Sequence, residues 1–137
     1  MKYIKHQEIN RELTIHGRTY LTGDLKFETD LNYIRSSGYE TGISRYETFK
    51  YDQAHTHTWN QEYNFVIKGE IKVFIFEENK EYHFVEGDFF NIEPGMSYMS
   101  KCKESTEIFF SKSPGGNDKE IFDISNNPEW IEWSKGW

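Results

Sequence analysis

The chain is short of the features that most directly dictate a fold or a partner. It has one cysteine, Cys102, so no intramolecular disulfide can form and a reducing compartment fits. Three prolines and 10 glycines in 137 residues leave no flexible linker, and no repeat or low-complexity run divides the chain, so one domain is expected over 1–137. No apolar run approaches the roughly 18 residues of a membrane helix. The opening MKYIKHQEINREL is basic but lacks the apolar segment of a signal peptide, which reads as a cytoplasmic protein. Positive charge is in deficit: 16 Lys and Arg face 23 Asp and Glu, for a net charge of -7. Such a surface repels phosphate backbones and sets nucleic acid aside as a partner. There is no G-x-G-x-x-G fingerprint, no P-loop and no Ser/His/Asp order to pursue.

Aromatic residues are abundant, with 11 Phe, 9 Tyr and 4 Trp. They carry large buried areas and favour strands. Residues 1–40 are mixed and polar and read as short strands or an arm, with strand-like Arg18 to Leu21 and turn signals at Gly23, Asp24, Ser36, Ser37 and Gly38. From Thr41 the period becomes two. GISRYETFK separates Ile43, Arg45, Glu47 and Phe49 from Ser44, Tyr46, Thr48 and Lys50, a strand with a partly polar interior. EYNFVIKG follows, then EIKVFIFEE, with Ile71, Val73 and Ile75 on one face and Phe74 and Phe76 on the other. Apolar residues on both faces imply cover on both sides. Glu77 to Glu81 reads as a charged hairpin tip, Gly87-Asp88 as a turn between two more strands, and Glu107 to Ser111 as another strand. A helix is expected over about 128–136. Asn127 can cap it, Pro128 suits its first position, Glu129 favours its positive end, and Trp130, Trp133 and Trp137 fall on one face. That face reads as a clamp against the strands or against a second copy, and a homodimer is expected from these apolar surfaces.

The stretch HTHTWNQE, His55 to Glu62, carries the chemistry. On a strand His55 and His57 project from the same face, and a tight turn can fold Glu62 back onto them. Two imidazoles and a carboxylate suit Fe, Mn, Co, Ni or Zn and are too rich in nitrogen for Ca or Mg. On spacing alone, ordinary polar strand residues explain the pattern as well. The run H-x-H-x4-E-x6-G from His55 to Gly69 resembles the first motif of the cupin family. Gly87-Asp88, FFNIE, Pro94-Gly95 and Met96-Ser97 resemble the second, with Tyr98 where the family has a third histidine. Phe49 also stands where the family often has a glycine. The likeness spans about 41–112. It implies an all-β, single-domain cupin jelly-roll β-barrel with a short C-terminal helix, and a divalent transition metal held by His55, His57 and Glu62 in the barrel mouth.

Tyr98 leaves three arrangements open. It ligates the metal as a phenolate, or His55, His57 and Glu62 hold the metal alone with open positions, or no metal binds and the His and Tyr residues work as base and acid. Arg45 facing inward would offer a cation to a carboxylate or phosphate, and Gln61, Asn64 and Trp59 flank the turn as candidate substrate contacts. His83 reads as structural, and the loop Ser113 to Lys119 as a turn with enough backbone freedom to cradle an anion. The reading is a metal-binding cupin acting on a polar small molecule, foremost a sugar isomerase or epimerase with Tyr98 or Glu62 carrying the proton. A non-haem iron dioxygenase and a non-catalytic carbohydrate-binding module are the alternatives, because one fold hosts many chemistries.

Overall fold

The computed structural model describes residues 1–137. It contains α1 (His6–His16), β1 (Arg18–Gly23), β2 (Ile34–Arg35), β3 (Glu40–Tyr46), β4 (Lys50–His57), β5 (Gln61–Lys68), β6 (Glu70–Ile75), β7 (Lys80–Val85), β8 (Phe89–Ile92), β9 (Ser97–Cys102), β10 (Thr106–Ser113), β11 (Lys119–Ile121) and α2 (Pro128–Trp133). The strands form two sheets. One has the order β2-β1-β3-β10-β5-β8 and the other β11-β4-β9-β6-β7. All pairings are antiparallel except the short β1–β2 contact. No helix is long and apolar enough to cross a membrane.

The alternation of side chains splits the space between the sheets into an apolar end and a polar end. Val66, Ile71, Val73, Ile75, Phe90, Ile92, Cys102 and Ile108 pack together as the core, and Tyr98 joins them from the border. Across β3, β10 and β5 the inward residues form rows. Ser44, Ile108 and Val66 make one, Gly42, Phe110 and Asn64 the next, and Glu40, Lys112 and Glu62 the third. The rows therefore run from apolar to ionic within two steps. Gly42 has no side chain because one there would strike the Phe110 ring and the Thr19 carbonyl. Gly69 is the single residue between β5 and β6. Its φ of 83° and the buried Thr106 pressed against it both exclude a side chain.

Two expectations need correction. The segment 41–50 does not form one continuous strand: β3 ends at Tyr46 and β4 begins at Lys50. Residues 1–40 do not hold only strands or an arm, because 6–16 are helical. Too few apolar residues mark α1; only Leu13 is buried, and what shapes the ends is local. Glu8 accepts from the Lys5 N–H, and Gly17, at φ 69°, donates to the Leu13 carbonyl. The outer face of β6 is covered by the chain itself. Phe74 and Phe76 pack on Trp130, Phe74 also meets Trp133, and Phe122 stacks on Phe76 at 4.6 Å. Trp130 and Trp133 thus cover the apolar face of Phe74 and Phe76 within the chain, while Trp137 stays exposed.

Asn127 caps α2 by accepting from the Trp130 N–H, with Pro128 at its first position. The helix stops at Trp133, short of 136. The buried Lys101 reaches out from β9 and donates to the Trp133 and Gly136 carbonyls at 2.7 Å each, with its ammonium 4.0 Å from the Trp133 ring.

Trp130→Ala removes a half-buried aromatic from this layer and should cost roughly 2 kcal/mol in urea unfolding, less than the ~3–5 kcal/mol of a fully buried one. Burial, aided by the Asp52 charge, pushes the Cys102 thiol up to about 12. Iodoacetamide at pH 8 should leave Cys102 unmodified in the native protein and alkylate it once the chain is denatured, as read by intact mass.

Candidate functional site

The polar end opens into a cavity of about 470 Å³. His55 and His57 reach it from β4, Tyr98 from β9, and Glu62 and Asn64 from β5, so both sheets contribute. His55 pairs with Tyr98 in register, and their rings lie 4.4 Å apart, while the two imidazoles are 5.0 Å apart.

Hydrogen bonds define the protonation of this group. The Nδ1 of His55 lies 2.5 Å from the Gln53 carbonyl, which can only accept, so Nδ1 carries the proton and Nε2 is free. Burial lowers the pKa of His55 against the pull of the Gln53 carbonyl and Asp52, keeping it neutral. The Nδ1 of His57 lies 2.6 Å from Oδ1 of Asp118, and its Nε2 is 3.6 Å from Oε2 of Glu62. The Tyr98 hydroxyl donates to the same Oε2 at 3.2 Å, and Asn64 donates to Oε1 at 3.2 Å. Burial, with the Glu62 and Asp52 charges added, raises the Tyr98 phenol well above 10. It is a proton donor at neutral pH.

Asp118 was not a candidate from the sequence, where it is one acid in a loop of small polar residues. Its side chain is only 3% exposed. Besides His57, it accepts from the Trp59 N–H at 2.7 Å and the Asn60 N–H at 2.9 Å. Burial raises its pKa, but these three bonds outweigh that and hold it below the ordinary aspartate value. The Ser113 to Lys119 loop is thus more than a turn. Gly116, Asn117 and Lys119 line the cavity, and Lys112 and Glu40, paired at 3.0 Å, hold the Gly116 backbone through its carbonyl and N–H.

The remaining sequence candidates separate. Asn64 is buried and lines the cavity. Arg45 does not face inward. On β3 the inward set is Glu40, Gly42 and Ser44, so Arg45 lies on the outer side, bonded to Glu107 at 2.6 Å and to Asn10 of α1 at 3.1 Å. It docks the helix. Gln61 adjoins Glu62 and by strand alternation points away from it; it does not line the cavity. Trp59 is 46% exposed, with its ring edge over Gly116 outside the cavity wall. His83 sits on the outer side of the other sheet, 2.8 Å from Glu70.

No family model matches the sequence, and no curated protein matches it. Solved structures do. KdgF from Halomonas sp. superposes with a TM-score of 0.54 at 15% identity, covering 61% of this chain and 74% of that one. An RmlC-like cupin from Shewanella frigidimarina gives 0.53 at 17% identity, covering 60% and 71%. The fold is that of the cupins. The oxalate decarboxylase of Bacillus subtilis extends the match to 71% of this chain, at 18% identity and a TM-score of 0.55, over 28% of that longer chain.

The resemblance of HTHTWNQE to the first cupin motif implies a metal at this place. The donors here have suitable chemistry: two imidazoles, each with Nδ1 tied to an oxygen acceptor in the manner of metal-ligand histidines, and a carboxylate beside them. They are not drawn into a closed cage, since no group of three or more His, Cys, Asp and Glu side chains converges. Glu62 is engaged by Tyr98 and Asn64 instead.

Asp118→Ala would leave the His57 Nδ1–H and two backbone N–H groups without their acceptor. It should cost about 1–3 kcal/mol in denaturant unfolding. Ring-nitrogen NMR shifts should report a mixture of His57 tautomers in place of one.

Proposed function

We propose that this cupin binds a divalent transition metal through His55, His57 and Glu62 and acts on a polar small molecule in the cavity, foremost as a sugar isomerase or epimerase. The observation that carries the reading is the pair of histidines, each with Nδ1 engaged by an oxygen acceptor so that Nε2 is the nitrogen left to bind a metal, with the Glu62 carboxylate 3.6 Å from Nε2 of His57. The Mn(II) centres of the oxalate decarboxylase show that this fold accommodates such metals in another protein. When bound, the metal would polarise a substrate carbonyl or hydroxyl oxygen. The chain's own groups would do the rest. Glu62 would take a proton from carbon or hydroxyl, and Tyr98, protonated and donating to Glu62, would return one. Asn64 holds the other carboxylate oxygen and so fixes which face of Glu62 meets the substrate.

The Tyr98–Glu62 hydrogen bond also favours a second reading, in which the same residues work as an acid–base pair without metal. Elemental analysis of untagged protein decides between them. Near one equivalent of Fe, Mn, Ni, Co or Zn in wild type, lost in His57→Ala, is expected. No metal in either, even after soaking with Fe(II), Mn(II) and Zn(II), would leave the acid–base reading. Oxygen uptake with Fe(II) and a turned-over substrate would instead mark a dioxygenase, because an isomerase is indifferent to O2.

A further inference from the structure

We propose that Arg18 makes this cavity a receptor for a small molecule bearing an oxyanion, a carboxylate or a phosphate. The inference deepens the proposed function by naming the charge of its ligand, and it rests on the same cavity. Four cationic and four acidic side chains line the cavity. Three of the cations are already matched: Lys112 with Glu40 at 3.0 Å, Lys119 with Asp52 at 2.9 Å, and Lys26 with Asp24 at 2.5 Å. Of the acids, Glu62 is left, and it is taken up by Tyr98 and Asn64. Arg18 is the one cation of the wall that has no carboxylate and no hydrogen-bond partner of its own.

Its guanidinium, on an exposed residue at the cavity rim, rests against two aromatic rings. Its central carbon lies 4.2 Å from the centre of the Phe110 ring and 5.4 Å from that of Tyr20, and the two rings meet edge-on at 6.0 Å. Phe110 can occupy that position because Gly42 beside it has no side chain. Stacking on an aromatic surface satisfies the face of a guanidinium and leaves its N–H edge free, the edge that binds a carboxylate or phosphate in a two-pronged contact. Phe110 is also the inward neighbour of Lys112 on β10, the residue paired in register with Glu62. An anion held on Arg18 would therefore extend the rest of its molecule along β10 toward Glu62 and Tyr98. The net charge of -7 gives no long-range attraction for such a ligand, so recognition has to come from this contact.

The test is a titration of inorganic phosphate, and separately of acetate, into 15N-labelled full-length protein stripped of metal with EDTA and dialysed free of the chelator, followed by amide shifts. Wild type should show saturable shifts around Arg18, Ser44 and Phe110 with at least one of the two ions. Arg18→Gln should weaken that binding by at least about tenfold with the distant spectrum unchanged. Arg18→Lys, which keeps the charge and loses the planar fork, should fall between them. Phosphate alone would point to a phosphate ester, acetate alone to a carboxylate, and both to an oxyanion of either kind. Equal binding in Arg18→Gln and wild type, or no saturable shift in wild type with either ion, would overturn the proposal. Prior removal of metal keeps this result separate from the metal reading, which stands or falls on the elemental analysis.

Discussion

Asp118 holds the site together. One carboxylate gathers the His57 imidazole and two consecutive backbone N–H groups of the turn that carries Trp59 and Asn60. The bond to His57 is charge-assisted and nearly dry, so it exceeds an ordinary surface contact in strength. It does three things at once. It fixes the imidazole tautomer, shapes the turn from β4 into β5 that brings Glu62 round, and fastens the loop before β11 over the cavity. Each of these depends on the others being in place.

The polar end of the barrel is costly to maintain. The Lys112–Glu40 pair has side chains only 10% and 7% exposed, and buried ion pairs recover their desolvation cost only when their remaining bonds are filled. Here they are: Lys112 also reaches the Gly116 carbonyl, and Glu40 accepts from the Gly116 N–H. The pair thus acts as a pin for the loop as much as a source of stability. The opposite end of the barrel and the aromatic layer under α2 supply the apolar burial that supports it.

Much of this was legible. The β5–β6 hairpin at Gly69, the turn at Gly87 and the capped helix at Asn127 each announce themselves by residue type. His55, His57, Glu62 and Tyr98 line one cavity. Parity was the weak point. Ser44 and Arg45 alternate equally well in either sense, and Arg45 lies outside because Gly42 faces the Phe110 ring on the inward side and Glu107 and α1 receive the guanidinium. The helix itself was hidden because Leu13 is its lone buried residue. Asp118 and Arg18 escaped for a different reason. Each acts across a long stretch of chain, and no local pattern records a contact between residues 57 and 118 or between 18 and 110.

The site straddles the gap between two sheets, with the histidines and Tyr98 on one wall and Glu62 and Asn64 on the other. No strand carries both His57 and Glu62, so their separation is set by how thickly the apolar end is filled. A bulkier or smaller side chain at Val66 or Val73, in the apolar core, would act as a shim and change the gauge of the site. The core of this protein is therefore less free to drift in sequence than its stability alone would allow, since repacking it retunes the distance across which the site works.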